Sequence, residues 1–304
     1  MNFYFNNINL KTYFVRRLRR LSLFSYLFPL GTGGSSEYSF SVWIRHLEIL
    51  RALGHSQMPH TVAELGPGST LGAGIAALLS GSSEYYALDI QNYIGKDSLL
   101  NDFESMLTIF KNRHCEGIEF PHHILTEDIL SKSLEESRIN SIRNSIIANG
   151  SDSEFIKYYA PWTDEKLIVF ESVDYIFSQC VLEHVDALKE CYDAMHKWLR
   201  RDGFSSHLVD FQCHSFTKHW NGHWAYSTKE WNSIKGTNDW AINRLPASKH
   251  NEFALNAGFQ IINFKRRYAT TKGLTREKLS SEFSYIQEED LKTTFIDIFL
   301  RKKL

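Results

Sequence analysis

The chain has almost no net charge, −1 from 34 lysines and arginines against 35 aspartates and glutamates. Proteins that hold nucleic acid by broad electrostatic attraction carry a basic face and a high pI, so no nucleic-acid partner is expected. Cysteine is scarce too. Cys115, Cys180, Cys191 and Cys213 show no Cys-x-x-Cys spacing and no framework pattern, so nothing requires disulfides and a reducing cytoplasm is the simplest compartment. No run approaches the roughly 20 apolar residues needed to cross a bilayer. Near the N-terminus, Arg16-Arg-Leu-Arg-Arg20 precedes an apolar stretch, but no Ala-x-Ala-like site follows, which argues against a secretory leader. Two readings stay open for residues 11–28. One is an amphipathic helix on an anionic membrane with Phe24, Leu27 and Phe28 inserted; the other is a helix packed on the domain with a solvated arginine face.

What the chain does have is enough apolar residue for a sizeable core, 43% of 304 positions, with 23% charged. That balance implies one α/β domain with additions rather than disorder. The organising stretch is Thr61-Val-Ala-Glu-Leu-Gly-Pro-Gly-Ser-Thr-Leu-Gly72. A short apolar run, a glycine-bearing turn and an apolar helical segment follow one another directly, as in a nucleotide pocket. Gly66 and Gly68 let backbone lie against a ligand, and the helix start beyond them offers unpaired N–H groups. Asp89, at the end of a second apolar run about 20 residues on, is placed to accept both hydroxyls of a ribose.

Taken in order, residues 1–36 read as a helical extension and a flexible joint, and 37–304 as the main domain. Tyr38 to Leu53 carries Phe40, Ile44, Leu47 and Leu50 on one stripe and stops at Gly54, as helices often do. Leu99 to Phe110 is a further helix. His122 to Leu130 reads as a third strand ending at Asp128. Residues 131–160 lose the pattern and read as a surface insertion. Val173 to Cys180 is the fourth strand, and a helix follows with Leu188, Tyr192, Met195 and Leu199 at helical spacing. Phe204 to Phe211 is the fifth strand. An aromatic and histidine-rich insertion spans about 212–248, then come a helix at 247–257 and two closing strands at 258–264 and 294–300. Alternating strands and helices imply a doubly wound sheet with its ligand beyond the strands' carboxyl ends.

These motifs together resemble the class I S-adenosylmethionine-dependent methyltransferases over roughly residues 40–304. The resemblance rests on Glu64-Leu-Gly-Pro-Gly68, Asp89, Phe177-Ser-Gln-Cys-Val-Leu-Glu-His-Val185 and Leu199-Arg-Arg-Asp-Gly203. It implies a Rossmann-like seven-stranded sheet with the last strand antiparallel, and S-adenosyl-L-methionine as cofactor. Gly66, Pro67 and Gly68 would then lie under the methionine and ribose, with Ser69 and Thr70 continuing the loop and Glu64 positioning it or the amino group. Asp89, followed by Ile90, would hold the ribose hydroxyls. Asp128 and Ile129 would edge the adenine, and Ser178, Gln179 and Cys180 would line the methionine side. Thr70 stands where the family often has glycine, which leaves the exact loop path open. A dinucleotide dehydrogenase needs a third glycine where Leu71 stands, and Glu64 would face phosphate unfavourably.

Methyl transfer from a sulfonium is an in-line displacement, so alignment does most of the work. A hydroxyl acceptor also needs a base, and histidines cluster after the fifth strand. His214 is the expected base, with Asp210 orienting it or binding substrate. The alternative for each histidine is a buried strand or surface residue. His219, His223, Trp224 and Arg244 are the expected substrate contacts of a lid over a small-molecule or glycan acceptor, methylated at oxygen; a small accessory core is the competing reading of the tryptophans. His219 and His223 stand four apart near Cys213 but lack a further ligand pair, so no metal is expected. A non-catalytic methyltransferase-like scaffold is the alternative function.

Overall fold

The computed structural model describes residues 34–149, 152–162, 164–236 and 241–303. Residues 11–28 and the first half of the glycine-rich joint lie outside the described residues, as does Trp240. No helix among the described residues is long and apolar enough to cross a membrane.

The first helix, α1 (Ser36–Ala52), is capped by Ser35, whose hydroxyl accepts the Tyr38 amide at 3.3 Å. It buries Phe40, Trp43, Ile44, Leu47 and Leu50, the expected stripe widened by the tryptophan. β1 (Thr61–Leu65) is buried along its whole length, as a parallel strand covered on both faces should be. It leads into α2 (Gly72–Leu79), and β2 (Glu84–Leu88) follows. β1 pairs in parallel with β2 on one side and with β4 (Val173–Gln179) on the other. The strand order therefore reverses direction at β1 and β4, the point beyond whose carboxyl ends a crevice forms in doubly wound sheets.

The rest of the sheet is β3 (Ile156–Tyr159), β5 (Leu199–Asp210), β6 (Phe259–Tyr268) and β7 (Thr293–Lys302), in the order β3-β2-β1-β4-β5-β7-β6. The last strand inserts antiparallel. Phe211, just past the end of β5, donates to the Thr294 carbonyl at the start of β7 at 2.8 Å, while Lys302 at the end of β7 reaches the Leu199 carbonyl at the start of β5.

Two expectations fail between residues 122 and 160. The segment His122 to Leu130 is not a strand: Pro121 to Leu125 turn, and Glu127–Ser133 form the helix α4, after α3 (Lys96–Asn112). Glu127 and Asp128 lie in its first turn, where carboxylates favour a helix start. Residues 131–160 are not a patternless insertion either. They hold α5 (Glu136–Asn149), which buries Ile139, Ile142 and Ile146 at helical spacing, and β3 itself. Only Ile156 of β3 is fully buried, so this edge strand presents no apolar run to detect.

The chain divides into two compact units. The amino-terminal unit comprises Gly31–Gln179, Ala194–Ser206 and Arg301–Leu304; the carboxyl-terminal unit includes Cys180–Asp193 and His207–Leu300. In the amino-terminal unit, α1 lies close on α2: a Cβ on Gly72 would stand 2.6 Å from Ser39. The carboxyl-terminal unit contains α7 (Thr228–Lys235), α8 (Ala247–Asn256) and α9 (Glu288–Lys292), with α6 (Leu188–Trp198) running from it into the other unit. Its described residues include two small apolar clusters. One gathers Phe216, Tyr226, Trp231, Ile234, Ala241 and Ile242, the other Trp224, Phe283, Ile286 and Leu291.

Candidate functional site

The turn after β1 is shaped by backbone that only glycine adopts without strain. Gly66 and Gly68 have φ of 64° and 75°, the left-handed region in which a Cβ is penalised. The Gly66 amide donates to the Leu88 carbonyl at 2.7 Å and so ties the turn to the end of β2. Asp89 makes the second tie, accepting the Gly68 amide on Oδ2 at 2.9 Å and the Ile90 amide on Oδ1 at 2.7 Å. Burial raises its pKa, and those amides pull it partly back. Its own backbone is fixed as well, with its amide on the Tyr159 carbonyl and its carbonyl accepting from Trp162. The ribose candidate and the glycine turn are thus one bonded piece.

Thr70 has a specific job in place of glycine. Its hydroxyl donates to Asp102 at 2.9 Å and accepts the Gly72 amide at 3.1 Å, satisfying one of the free N–H groups at the start of α2. Glu64 points beneath the turn, where it accepts the Tyr85 hydroxyl at 2.6 Å and meets the Gly74 amide. Burial, and secondarily the Asp89 charge, push its pKa up to about 8. Gly74 is what admits the tyrosine, since a Cβ there would lie 2.0 Å from the Tyr85 ring. At the end of β4, Ser178 is fully buried and Gln179 accepts from Arg45 of α1 at 3.2 Å. Asp128 and Ile129 are not at a strand end. Asp128 stands exposed on α4 and pairs with Lys132 at 2.9 Å. The residues that sequence reading missed are Tyr158 of β3, whose hydroxyl accepts the Tyr93 amide and donates to the Gln91 carbonyl, and Trp162 beyond it. Their only advance signal was an aromatic run, Tyr158-Tyr-Ala-Pro-Trp162, inside a segment read as an insertion.

The carboxyl-terminal unit begins at Cys180, whose φ of 54° is unusual for a residue with a side chain. Three residues on, Glu183 sits in a short 3-10 turn, Leu182–His184, at 2% exposure. No side-chain donor among the described residues reaches either of its carboxyl oxygens. Burial drives its pKa well above the carboxylate range and the Asp210 charge adds to this, while the amides of Glu183 and Asp210 ease it back. Asn243 holds the turn in place, donating from its side chain to the Leu182 and Val185 carbonyls at 2.9 Å each and from its backbone to the Glu183 carbonyl at 2.6 Å.

Asp210, at the end of β5, accepts the Gln212 amide at 2.8 Å, and its other oxygen is 4.0 Å from His214 Nε2. His214 and Ser215 both have positive φ, 48° and 64°, so the loop that presents the histidine is strained. The His184 and His214 rings lie 5.1 Å apart. His214 thus lies near Asp210, beyond hydrogen-bond length, with the His184 ring beside it.

The four expected substrate contacts fare differently. Trp224 is fully buried and donates to the Arg244 carbonyl at 2.8 Å. Arg244 donates to the Tyr226 carbonyl and Thr228 hydroxyl, and its guanidinium lies 4.6 Å from the Phe283 ring centre. Both are committed inside the small cores, so the accessory-core reading holds for them and the lid reading does not. His223 is buried against Trp224 and Trp231, and burial, then Arg244 and His214, hold it neutral. His219 remains half-exposed. Cys213 directs its thiol to the Thr217 and His219 carbonyls, occupied with backbone.

No family model matches the sequence, and no curated protein sequence matches it. Among solved structures, a Mesorhizobium loti S-adenosylmethionine-dependent methyltransferase aligns with a TM-score of 0.44 at 13% identity, covering 90% of this chain and 100% of its own. A Haemonchus contortus phosphoethanolamine N-methyltransferase 2 gives 0.44 at 11% identity, over 95% of this chain and 60% of its own. The [4+2]-cyclase SpnF gives 0.42 at 9% identity, over 91% and 86%. The strand order and the antiparallel last strand give this chain the Rossmann-like fold of the class I methyltransferases.

Proposed function

We propose that the chain is an S-adenosylmethionine-dependent methyltransferase that modifies a hydroxyl of a small-molecule or saccharide acceptor. The observation that carries this reading is the bond between Asp89 and the Gly68 amide at the switch point of the sheet. Two buried acids, Glu64 and Asp89, flank the turn. A pyrophosphate would meet the carboxylate of Asp89, whereas ribose hydroxyls find an acceptor there, and Glu64, which holds its proton, adds no charge. In this reading Gly66, Pro67 and Gly68 carry the cofactor's backbone contacts, Asp89 takes the ribose, and Ser178, Gln179 and Cys180 line the methionine side.

Asp210, His214, His184 and Glu183 supply acid–base groups for a hydroxyl acceptor, and they lie in the stretches directly after β4 and β5. His214, oriented by Asp210, is the group that would draw the proton from the attacking oxygen. Calorimetric titration with S-adenosylmethionine and S-adenosylhomocysteine tests the cofactor half. A hydrogen-bonded charged partner contributes about 1.5–3 kcal/mol, so Asp89→Ala should weaken both ligands by roughly ten- to a hundredfold. No binding by the wild type, or equal binding by the variant, would end this assignment.

A further inference from the structure

Glu183, His184 and His214 each offer one ligand atom, and these atoms lie within 4.8 Å of one another, the one such group among the described residues. Ligand atoms about 2.1 Å from a single ion stand roughly 3–4 Å apart, so small side-chain rotations would close the set. The second observation concerns Glu183. A carboxyl at 2% exposure that no side-chain donor among the described residues reaches is costly as an anion unless a cation or a proton neutralises it. No arginine or lysine does so: its one ion-pair contact among the described residues is His184 Nε2 at 4.0 Å. The turn carrying both residues is held by Asn243 from three directions, which is how a ligand is kept aimed.

We infer that Glu183, His184 and His214 form a site for a divalent first-row transition-metal ion, with Asp210 beside it. Two imidazoles and one carboxylate suit Zn²⁺ or its neighbours, whereas Mg²⁺ and Ca²⁺ prefer an all-oxygen set. Three protein ligands leave a coordination position open, as catalytic rather than structural sites do. Resting on the methyltransferase reading, that position takes the acceptor's hydroxyl and acidifies it. The proton passes to Asp210. His214 then acts through the ion instead of taking the proton itself.

The test uses the full chain stripped with a chelator. It should take up one equivalent of Zn²⁺ by calorimetry and develop visible absorption with Co²⁺, neither displaced by excess Mg²⁺. Glu183→Gln and His214→Ala should each bind Zn²⁺ at least tenfold more weakly, with near-ultraviolet dichroism and S-adenosylhomocysteine affinity unchanged. Absence of Zn²⁺ and Co²⁺ uptake by the wild type, preference for Mg²⁺, or wild-type affinity in both variants overturns the site. Metal uptake without S-adenosylhomocysteine binding supports the site and rejects the methyltransferase reading instead.

Discussion

Glu64 is the residue whose chemistry departs furthest from its exposed form beside the glycine turn. Its pKa rises from 4.5 to about 8, first because of burial and only then through Asp89. The folded state thus holds its proton to higher pH than the unfolded chain does. The stability associated with that proton is complete below about pH 4.5 and is lost as pH rises through 8. At about 1.4 kcal/mol per pKa unit, wild type should lose roughly 3 kcal/mol between pH 5 and pH 8 from this residue. Glu64→Gln, which keeps an acceptor for Tyr85 and cannot ionise, should lose that much less. Urea denaturation of both proteins at the two pH values decides the matter, and parallel losses would mean that the Glu64 proton is not held as described. Thr70 carries a different lesson: the departure from glycine is a capping hydroxyl, and the turn keeps its shape because Gly66 and Gly68 supply the left-handed backbone.

Among the elements, α2 is the one that the site can least afford to have altered. Gly74 in its middle is occupied from outside by the Tyr85 ring, which in turn reaches Glu64. Gly74→Ala would place a methyl group inside that ring, and overpacking of this kind costs typically about 1–3 kcal/mol. Thermal unfolding should show a lower Tm although alanine favours helix; a raised Tm would contradict the packing. The turn between β4 and α6 has a comparable single support in Asn243. Asn243→Ala leaves the Leu182 and Val185 carbonyls without their side-chain donor, a loss of about 1–3 kcal/mol. Chemical denaturation that found the variant as stable as wild type would show that water replaces the amide without cost.

At the scale of the whole molecule, local structure made by contiguous sequence could be read in advance and arrangements made by tertiary approach could not. The run from Glu64 to Gly68, Asp89, and the stripe of α1 announced themselves through composition and period. β3 did not, because an edge strand of four residues with one buried side chain shows neither alternation nor an apolar run. The isoleucines of α5 were hidden by the polar residues around them. Trp224 and Arg244 looked like ligand contacts because aromatic and cationic residues are the same whether they face solvent or each other; only their mutual contacts place them in a core. Glu183 was visible as a letter beside His184, but not as a buried carboxyl that no side-chain donor among the described residues reaches.

The division into two units has a consequence for dissecting the gene. Between residues 34 and 303 the chain passes from one unit to the other four times, at 179/180, 193/194, 206/207 and 300/301. The last of these returns Arg301 and Lys302 to the amino-terminal unit, where Arg301 binds Asp202 at 2.6 Å and Lys302 binds the Leu199 carbonyl at 2.8 Å. No single stop codon or protease cut can therefore liberate either unit whole. A fragment ending at 179 keeps the glycine turn and Asp89 but forfeits the later segments that complete their unit, so the cofactor binding proposed above belongs to the uninterrupted reading frame and is not expected of a truncated piece of it.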